Sequence, residues 1–423
     1  MKKGAWIGMG MVALTLLLTA CGSGGKSGGA KNATKPTLKI MTWNVDPGNA
    51  KREQEVFDEF TKDTGIKVEQ VTADYNKYNE KFMTMAAGKK LPDLTWILPN
   101  SFSKFVSEGL LLPLDEYVKK DIDTSKLVPG VMDFGKVDGK QYGMTRDYST
   151  TFMTYNKDMF DKAGVAYPKP GWTWDDFMKI ADKFKKVQNG KTVQFALTDM
   201  NTMASLLSMS GSYLVNLKNK ITFDDAQSLK FAKMYRDMVN KYNYQPSAAQ
   251  MQGVNNAFLA QKTAMQSGGV WEWKNFKDNA KFNWDITTFP RGKAGKLIAN
   301  QQQIAITSQT KHKTEAWKLL KWLTYGRGQK IQGDKLGAVS VLKSNVNDMA
   351  KVDYAPEHAS VLMDEINSGR PVQLNPYISS FTEVESGYIT QLSNFVQNKT
   401  SDKKIDATLK KLAADDRQKF GLK

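Results

Sequence analysis

Three short stretches of this 423-residue chain concentrate side chains suited to holding a ligand rather than transforming one. Trp43-Asn44, Trp96 through Asn100, and Trp271-Glu272-Trp273 each place an indole near an amide or a carboxylate. An indole offers a flat apolar face, and the neighbouring amide or carboxylate offers hydrogen bonds in a plane. That combination matches a ligand with C–H faces and a rim of hydroxyls, as a sugar ring has. Gln301-Gln302-Gln303 adds three adjacent amides, of which strand alternation puts Gln301 and Gln303 on one face. Each aromatic also has a plainer use. Trp43 and Trp96 serve equally well as core or as ligand platform. Trp172 and Trp174 read better as loop packing, and Trp317 and Trp322 share a helix with Leu320 and Leu323 as structural residues.

Reactive groups are scarce. Cys21 is the only cysteine, which excludes an intramolecular disulfide and a CxxC metal or redox site. His312 lies in the basic turn Lys311-His312-Lys313, and His358 follows Pro356-Glu357 like the start of a helix. Neither has the spacing of a zinc pair or a triad base, so no metal and no cofactor is expected. Gly25-Lys26-Ser27 lacks the earlier glycine of a phosphate loop, because Ala20 stands there.

The elements that must carry these residues alternate at first between strand and helix. Leu38 to Met41 has strand periodicity, and Arg52 to Asp63 sets Val56, Phe57 and Phe60 on one helical face before Gly65. Ile66 to Val68 begins a second strand, Asn76 to Ala87 a second helix, and Pro92 to Ile97 a third strand. This order predicts a parallel sheet with ligands beyond the carboxyl ends of its strands. Past Tyr142 the pattern changes. Thr150 to Tyr155 is extended, and Asn156 to Ala163 is a short helix. Thr173 caps the next helix with Asp176 as its reciprocal partner, and Phe177, Ile180, Ala181 and Phe184 line that helix. Thr314 is expected to cap a helix through Ala316, Trp317, Leu320 and Leu323, and the chain from His358 onward is mostly helical.

The amino terminus reads as an export signal. Lys2 and Lys3 precede the apolar run Met11 to Leu18, which is too short to span a membrane. Leu18-Thr19-Ala20-Cys21 resembles a bacterial lipobox, making residues 1–20 the signal and Cys21 the lipidated residue. Residues 21–36, rich in Gly and Ser, form a flexible tether. A diacylated terminus meets the two-chain requirement for stable anchoring. The formal charge is +17, but the lysines are scattered among Asp and Glu without an Arg-rich stripe. That pattern argues against nucleic acid and for attraction to anionic wall polymers and headgroups outside a Gram-positive cell.

Several segments in order carry a resemblance. They are Asp63 to Val68, Ala87-Gly88-Lys89-Lys90-Leu91-Pro92-Asp93, Glu108 to Asp115, Val137 to Gly143, Tyr155-Asn156-Lys157-Asp158, Pro170-Gly171-Trp172-Thr173-Trp174, Phe258 to Trp273 and Gly337-Ala338-Val339. Through them the chain resembles the extracellular solute-binding proteins of family 1, the maltose-binding-protein group, over nearly all of its mature length. Ser340 departs from the proline usual after the last segment.

The resemblance implies a type II periplasmic-binding-protein-like α/β fold with two discontinuous lobes. The first lobe is expected at 37–146 plus 291–341 and the second at 147–290 plus 342–423, with crossings near Arg146-Asp147-Tyr148, Pro290-Arg291 and Val341-Leu342. It also implies a monomeric, lipid-anchored binding component of an ABC importer that takes a di- or oligosaccharide to permease subunits. Trp271 matches the family's stacking tryptophan. Asp147 and Tyr148 fall at a crossing, and Arg370 and Asn375 on a late loop that borders the cleft in relatives. Two other readings stand beside it. Arg146, Arg291 and Arg370 leave room for a sugar acid or a polyol phosphate. A glycosidase needs two carboxylates about 5–9.5 Å apart, and Asp147 with Glu272 is the candidate pair, though neither has a general-acid context.

If Cys21 carries lipid, Cys21→Ala abolishes incorporation of a palmitate analogue into the protein; undiminished label contradicts the assignment.

Overall fold

Alternation along Thr37–Thr42 buries Leu38 and Ile40, and this first strand, β1, runs through the middle of a sheet. The computed structural model describes residues 35–44, 47–199, 202–216, 218–292, 297–367, 372–373 and 378–423. In chain order the later strands are β2 (Lys67–Thr72), β3 (Leu94–Ile97), β4 (Lys136–Val137), β5 (Lys140–Gln141), β6 (Gly143–Thr150) and β7 (Phe152–Asn156). They continue as β8 (Lys186–Gln188), β9 (Lys191–Thr198), β10 (Thr263–Gly268), β11 (Trp284–Thr288), β12 (Leu297–Ile306) and β13 (Val372–Gln373).

One sheet has the order β13-β12-β3-β1-β2, with β6 also paired to β12. β1 is parallel to β2 and β3, as the alternating sequence pattern predicts. The helix Pro47–Thr64 buries Val56, Phe57 and Phe60, and Gly65 ends it at φ 71°. The helix Tyr78–Ala87 buries Tyr78 and Phe82. The Tyr78 hydroxyl lies 2.9 Å from the carbonyl oxygens of both Met41 and Trp96, fastening the carboxyl ends of β1 and β3 together. A second sheet has the order β11-β7-β10-β9-β8. It is covered by helices that include Trp174–Ala181, whose Thr173 forms both bonds of the expected capping box with Asp176.

Two expectations need correction. β6 keeps pairing with β12 as far as Thr150↔Ala299, and β7 begins the second sheet at Phe152. The chain therefore leaves the first sheet at Thr151, and Arg146, Asp147 and Tyr148 remain strand residues of that sheet. Thr314 is not a cap: the helix Lys313–Tyr325 is flanked by His312, whose amide already donates to the Thr310 hydroxyl at 3.0 Å. The helix begins two residues earlier than a cap at Thr314 implies.

Each sheet has its own core. Phe57, Phe60, Trp96, Trp317 and Leu320 belong to that of the first sheet, and Phe177, Leu197, Leu229, Tyr388 and Leu409 to that of the second. A third cluster gathers Tyr148, Phe152, Val339 and Val341 from near the crossings together with Val270 and Trp273 from the segment after β10. Trp273 is at its centre, 0% exposed, with its ring centroid 5.7 Å from that of Phe152. Deleting so large a buried ring costs about 3–5 kcal/mol. Trp273→Ala is expected to lower unfolding stability by that amount in urea titration, and a loss under 1 kcal/mol contradicts its place in the core.

Candidate ligand-binding site

The carboxyl ends of β1, β3 and β6 come together at one edge of the first sheet, and their side chains make a floor. Trp43 follows β1 and stands edge-on to three rings: Trp96 at 4.8 Å, Tyr78 at 5.3 Å and Tyr75 at 5.8 Å between centroids. The Arg146 guanidinium lies over the Trp96 ring, 4.2 Å from its centroid. Arg146 is only 4% exposed. Its Nε donates to Gln332 at 2.7 Å, and its Nη1 donates to Asp147 at 2.8 Å and to Gln302. Beneath this layer Glu53, 1% exposed, sits beside Thr42 and Asn44. Burial pushes its carboxyl up to about 7, against the opposing pull of the Arg146 charge and of the Thr42 and Asn44 side chains.

The second half presents Trp271 and Glu272 directly after β10. Trp271 is 49% exposed, yet its ring is held in place. A Cβ on Gly269 would fall 1.9 Å from the indole, so the ring lies flat against bare glycine backbone. On the other side, a Cβ on Gly337 would come 3.2 Å from the Val270 carbonyl oxygen. Gly337 ends the helix Gly328–Leu336, which also supplies Gln332 to Arg146. One helix thus links the floor to the segment bearing Trp271. Burial raises the pKa of Glu272, opposed by hydrogen bonds from Asn275 and Trp271.

A separate set of bonds crosses between the halves. Asn100, just past β3, donates from Nδ2 to Glu385 at 2.8 Å, and the Thr382 hydroxyl donates to the Asn100 carbonyl at 2.6 Å. Lys104 pairs with Glu383 at 2.9 Å. Residues 382, 383 and 385 lie on the helix Phe381–Gln397, whose Phe381, Val384 and Tyr388 are packed in the core of the second sheet.

The structure sorts the sequence candidates by accessibility. Trp43 and Asn44 are half-buried in the floor, Asn100 bridges the halves, and Asp147 is partly exposed and paired with Arg146. Burial raises the pKa of Asp147, with Arg146 opposing. Trp271 is half exposed on the second half, with the partly buried Glu272 beside it. Trp96 is buried under Arg146 and Trp43 and packs in the core of the first sheet. Three residues expected at the ligand are corrected. Tyr148 is buried 5.7 Å from the Phe134 ring, and Trp273 is wholly enclosed. Gln303 is also wholly enclosed, donating to the Thr145 hydroxyl at 2.8 Å and to Gln301 at 2.6 Å. Gln301, half-buried, is thereby engaged by Gln303. A register irregularity between Gln302 and Gln303 accompanies this turn of the amides into the sheet, with Gln302 directed at Arg146. Arg370 and Cys21 lie outside the described residues.

Two residues were missed. Tyr75 and Glu385 both belong to this region, and Tyr75 follows the second strand just as Trp43 follows the first. That placement at the carboxyl end of a strand was a usable signal in the sequence. Asp285, Glu357 and His358 bring metal-type ligand atoms within 4.8 Å of one another. However, His358 is bonded to the buried Asp285 carboxylate and Glu357 to Lys157, so internal partners account for all three.

Residues 55–360 match the sequence profile of the bacterial extracellular solute-binding proteins. An arabinooligosaccharide-binding protein of Bacillus subtilis (strain 168) is 29% identical over 236 residues, covering 54% of this chain and 53% of that protein. The chain thus spans about half of that relative. A maltooligosaccharide ABC transporter solute-binding lipoprotein of Streptococcus pneumoniae serotype 4 is 27% identical over 367 residues, 80% of each chain. Among solved structures, an ABC substrate-binding protein of Listeria monocytogenes in complex with cycloalternan superposes with a TM-score of 0.83 at 22% identity, covering 92% of this chain and 100% of that one. The last similarity establishes the two-lobed fold.

Glu53 generates a pH prediction. Its folded pKa is raised from 4.5 to about 7, so the folded state holds the proton more tightly than the unfolded chain. The associated stability is fully present below pH 4.5 and is lost as pH rises through 7, a change of up to roughly 3 kcal/mol. Urea unfolding at pH 5 and pH 8 should show the wild type losing stability relative to Glu53→Gln. An unchanged difference between the two proteins refutes the buried-acid account.

Proposed function

The chain belongs to the bacterial extracellular solute-binding protein family, and from that premise we propose that it captures an oligosaccharide between its lobes and delivers it to an ABC permease. Its family consists of binding proteins, not enzymes. The observation that carries the reading is Trp271, an indole half open to solvent and pressed flat on Gly269. A rigid exposed ring of this kind is a platform for sugar C–H faces, and the nearby Glu272 is an acceptor for hydroxyls. The named ligands of the three relatives above are all carbohydrates, which supports the class.

Capture follows from two-lobed geometry. A ligand lying on the floor at Trp43, Asn44 and Asp147 meets Trp271 and Glu272 only when the lobes approach. Its differential contact with that state shifts the population toward closure. The anionic alternative loses Arg146 to internal partners, while Arg291 stays nearly half exposed beside one carboxylate. Arg146 is buried among Asp147, Gln302 and Gln332, and Arg291 faces Glu365 at 3.7 Å. The lipidated Cys21 would keep the monomer at the outer membrane surface, where a permease awaits the loaded form; the pneumococcal lipoprotein supports that arrangement.

A thermal-shift panel of arabino-, malto-, galacto- and mannooligosaccharides, sugar acids and polyol phosphates tests the class. Neutral oligosaccharides should raise the melting temperature, since ligand binding to the native state stabilises it. In calorimetry with the stabilising sugar, Trp271→Ala should weaken binding about tenfold or more, given the area such a ring buries. An unaltered affinity removes Trp271 from the site, and stabilisation by anions alone overturns the proposed ligand class.

A further inference from the structure

The edge of the first sheet opposite the floor carries a different chemistry. β1 is parallel to β2 and β3, so the amino ends of these three strands lie together. The length of β1 separates them from the floor, roughly 17 Å at about 3.3 Å per residue. β12 runs the other way and brings its carboxyl end to the same edge, with Ile306 opposite Leu94. Lysines collect in the segments that enter or leave there. Lys67 opens β2 opposite Thr37, Lys89 and Lys90 precede β3, and Lys311 and Lys313 follow β12. All five are exposed.

These segments are fastened to one another. The Leu91 amide donates to the Gln309 side chain at 3.0 Å, and Gln309 donates to the Ala86 carbonyl at 3.1 Å. The Thr307 amide and hydroxyl donate to the carbonyls of Asp93 and Pro92 at 3.0 and 2.6 Å. The Asp93 carboxylate accepts from the Lys39 amide at 2.9 Å and from the Thr310 hydroxyl, so it is engaged within the edge. Glu69 stands opposite Lys39 on β2. Glu69, Glu108 and Glu315 border the edge, and among the described residues none of them pairs with the five lysines. Lysines elsewhere are neutralised, as Lys62 is by Glu59, Lys179 by Asp176 and Lys411 by Asp415. A fixed cluster of one sign without counter-charges attracts an anionic surface.

The chain from Cys21 enters the sheet at this same edge, because Thr37 is the first residue of β1. Residues 21–36 separate the two, and a Gly- and Ser-rich segment of that length has a root-mean-square span of roughly 22 Å. An acyl chain on Cys21 therefore keeps the edge near the headgroups, where individually weak contacts count. We propose that Lys67, Lys89, Lys90, Lys311 and Lys313 dock the amino-terminal edge of the first sheet on anionic phospholipid headgroups. The inference rests on the lipid-anchored placement proposed above and specifies which face meets the membrane. Each lysine near such a surface raises partitioning on the order of fivefold. In this orientation the carboxyl ends of β1, β3 and β6 point away from the membrane, and the floor is presented to incoming solute.

Cosedimentation of the full chain with vesicles tests it, in a Cys21→Ala background so that no acyl chain contributes. Vesicles of phosphatidylcholine alone, compared with phosphatidylcholine mixed with phosphatidylglycerol, isolate the anionic contribution from that of the apolar run at 11–18. Lys89→Gln, Lys90→Gln, Lys311→Gln and Lys313→Gln together should weaken binding to the anionic vesicles at least tenfold, from the fivefold share of each lysine. The charge-matched set Lys403→Gln, Lys404→Gln, Lys410→Gln and Lys411→Gln, on the helix Asp402–Phe420, should weaken it less than about threefold. Raised salt should abolish the preference for anionic vesicles. Unchanged melting temperatures show that both sets are folded, and the pairs Lys89/Lys90 and Lys311/Lys313, substituted separately, should each give part of the loss. No preference for anionic vesicles, or equal weakening by the two sets, overturns the docking edge. Binding to soluble poly(glycerol phosphate) without binding to vesicles assigns the lysines to wall polymer and also overturns it. Palmitate labelling at Cys21 decides the lipid anchor independently, so failure of either reading is seen by itself.

Discussion

The first lobe is organised by the need to accommodate one buried guanidinium. A cation taken out of water costs several kcal/mol unless partners surround it. Arg146 on β6 finds those partners in Asp147 beside it, Gln302 on β12, Gln332 on the helix Gly328–Leu336 and the face of Trp96 on β3. Glu53, on the helix Pro47–Thr64, lies within its field. These groups come from five elements, and the arrangement cannot be completed until the returning segment at 297–336 has folded onto the amino-terminal strands. Removing the arginine would leave Asp147 and Glu53 without their cation, whereas an intact network gives the cleft a rigid base. Rigidity of this kind lowers the entropy lost on binding, because the aromatic row above it is ordered before any ligand arrives.

The contacts across the cleft have the opposite character. Lys104 and Glu383 are both about a third exposed, and exposed pairs of this kind contribute roughly 0–1 kcal/mol. Asn100 and Glu385 add one charge-assisted hydrogen bond. The crossings have a core of their own, in which Phe152, Trp273, Val339 and Val341 are gathered. A firm joint combined with a weak latch suits a protein whose ligand must decide the closed population. Stronger cross-lobe bonds would hold the site shut without a ligand.

Much of this was legible in the sequence where periodicity and capping act locally. Val56, Phe57 and Phe60 announced their helix, Thr173 and Asp176 their capping box, and the early alternation its parallel sheet. The glycine pair before Trp271 and the residue match to the family marked the exposed indole. What could not be read depends on pairing between distant strands. The departure at Thr151 follows from how far β6 pairs with β12, and the inward turn of Gln303 follows from the register irregularity there. Tyr148 and Trp273 looked like ligand contacts because they adjoin loops, yet the third core is assembled from segments more than a hundred residues apart and claims both. Glu385 was invisible for the same reason, since only the fold brings it to Asn100.

Capture between the lobes requires a cleft that closes around an intact sugar over a fixed floor. Small-angle X-ray scattering, with and without a saturating oligosaccharide identified by its stabilisation of the protein, measures this directly. A decrease in the radius of gyration on binding is the predicted result. A stabilising sugar that leaves the scattering curve unchanged contradicts it.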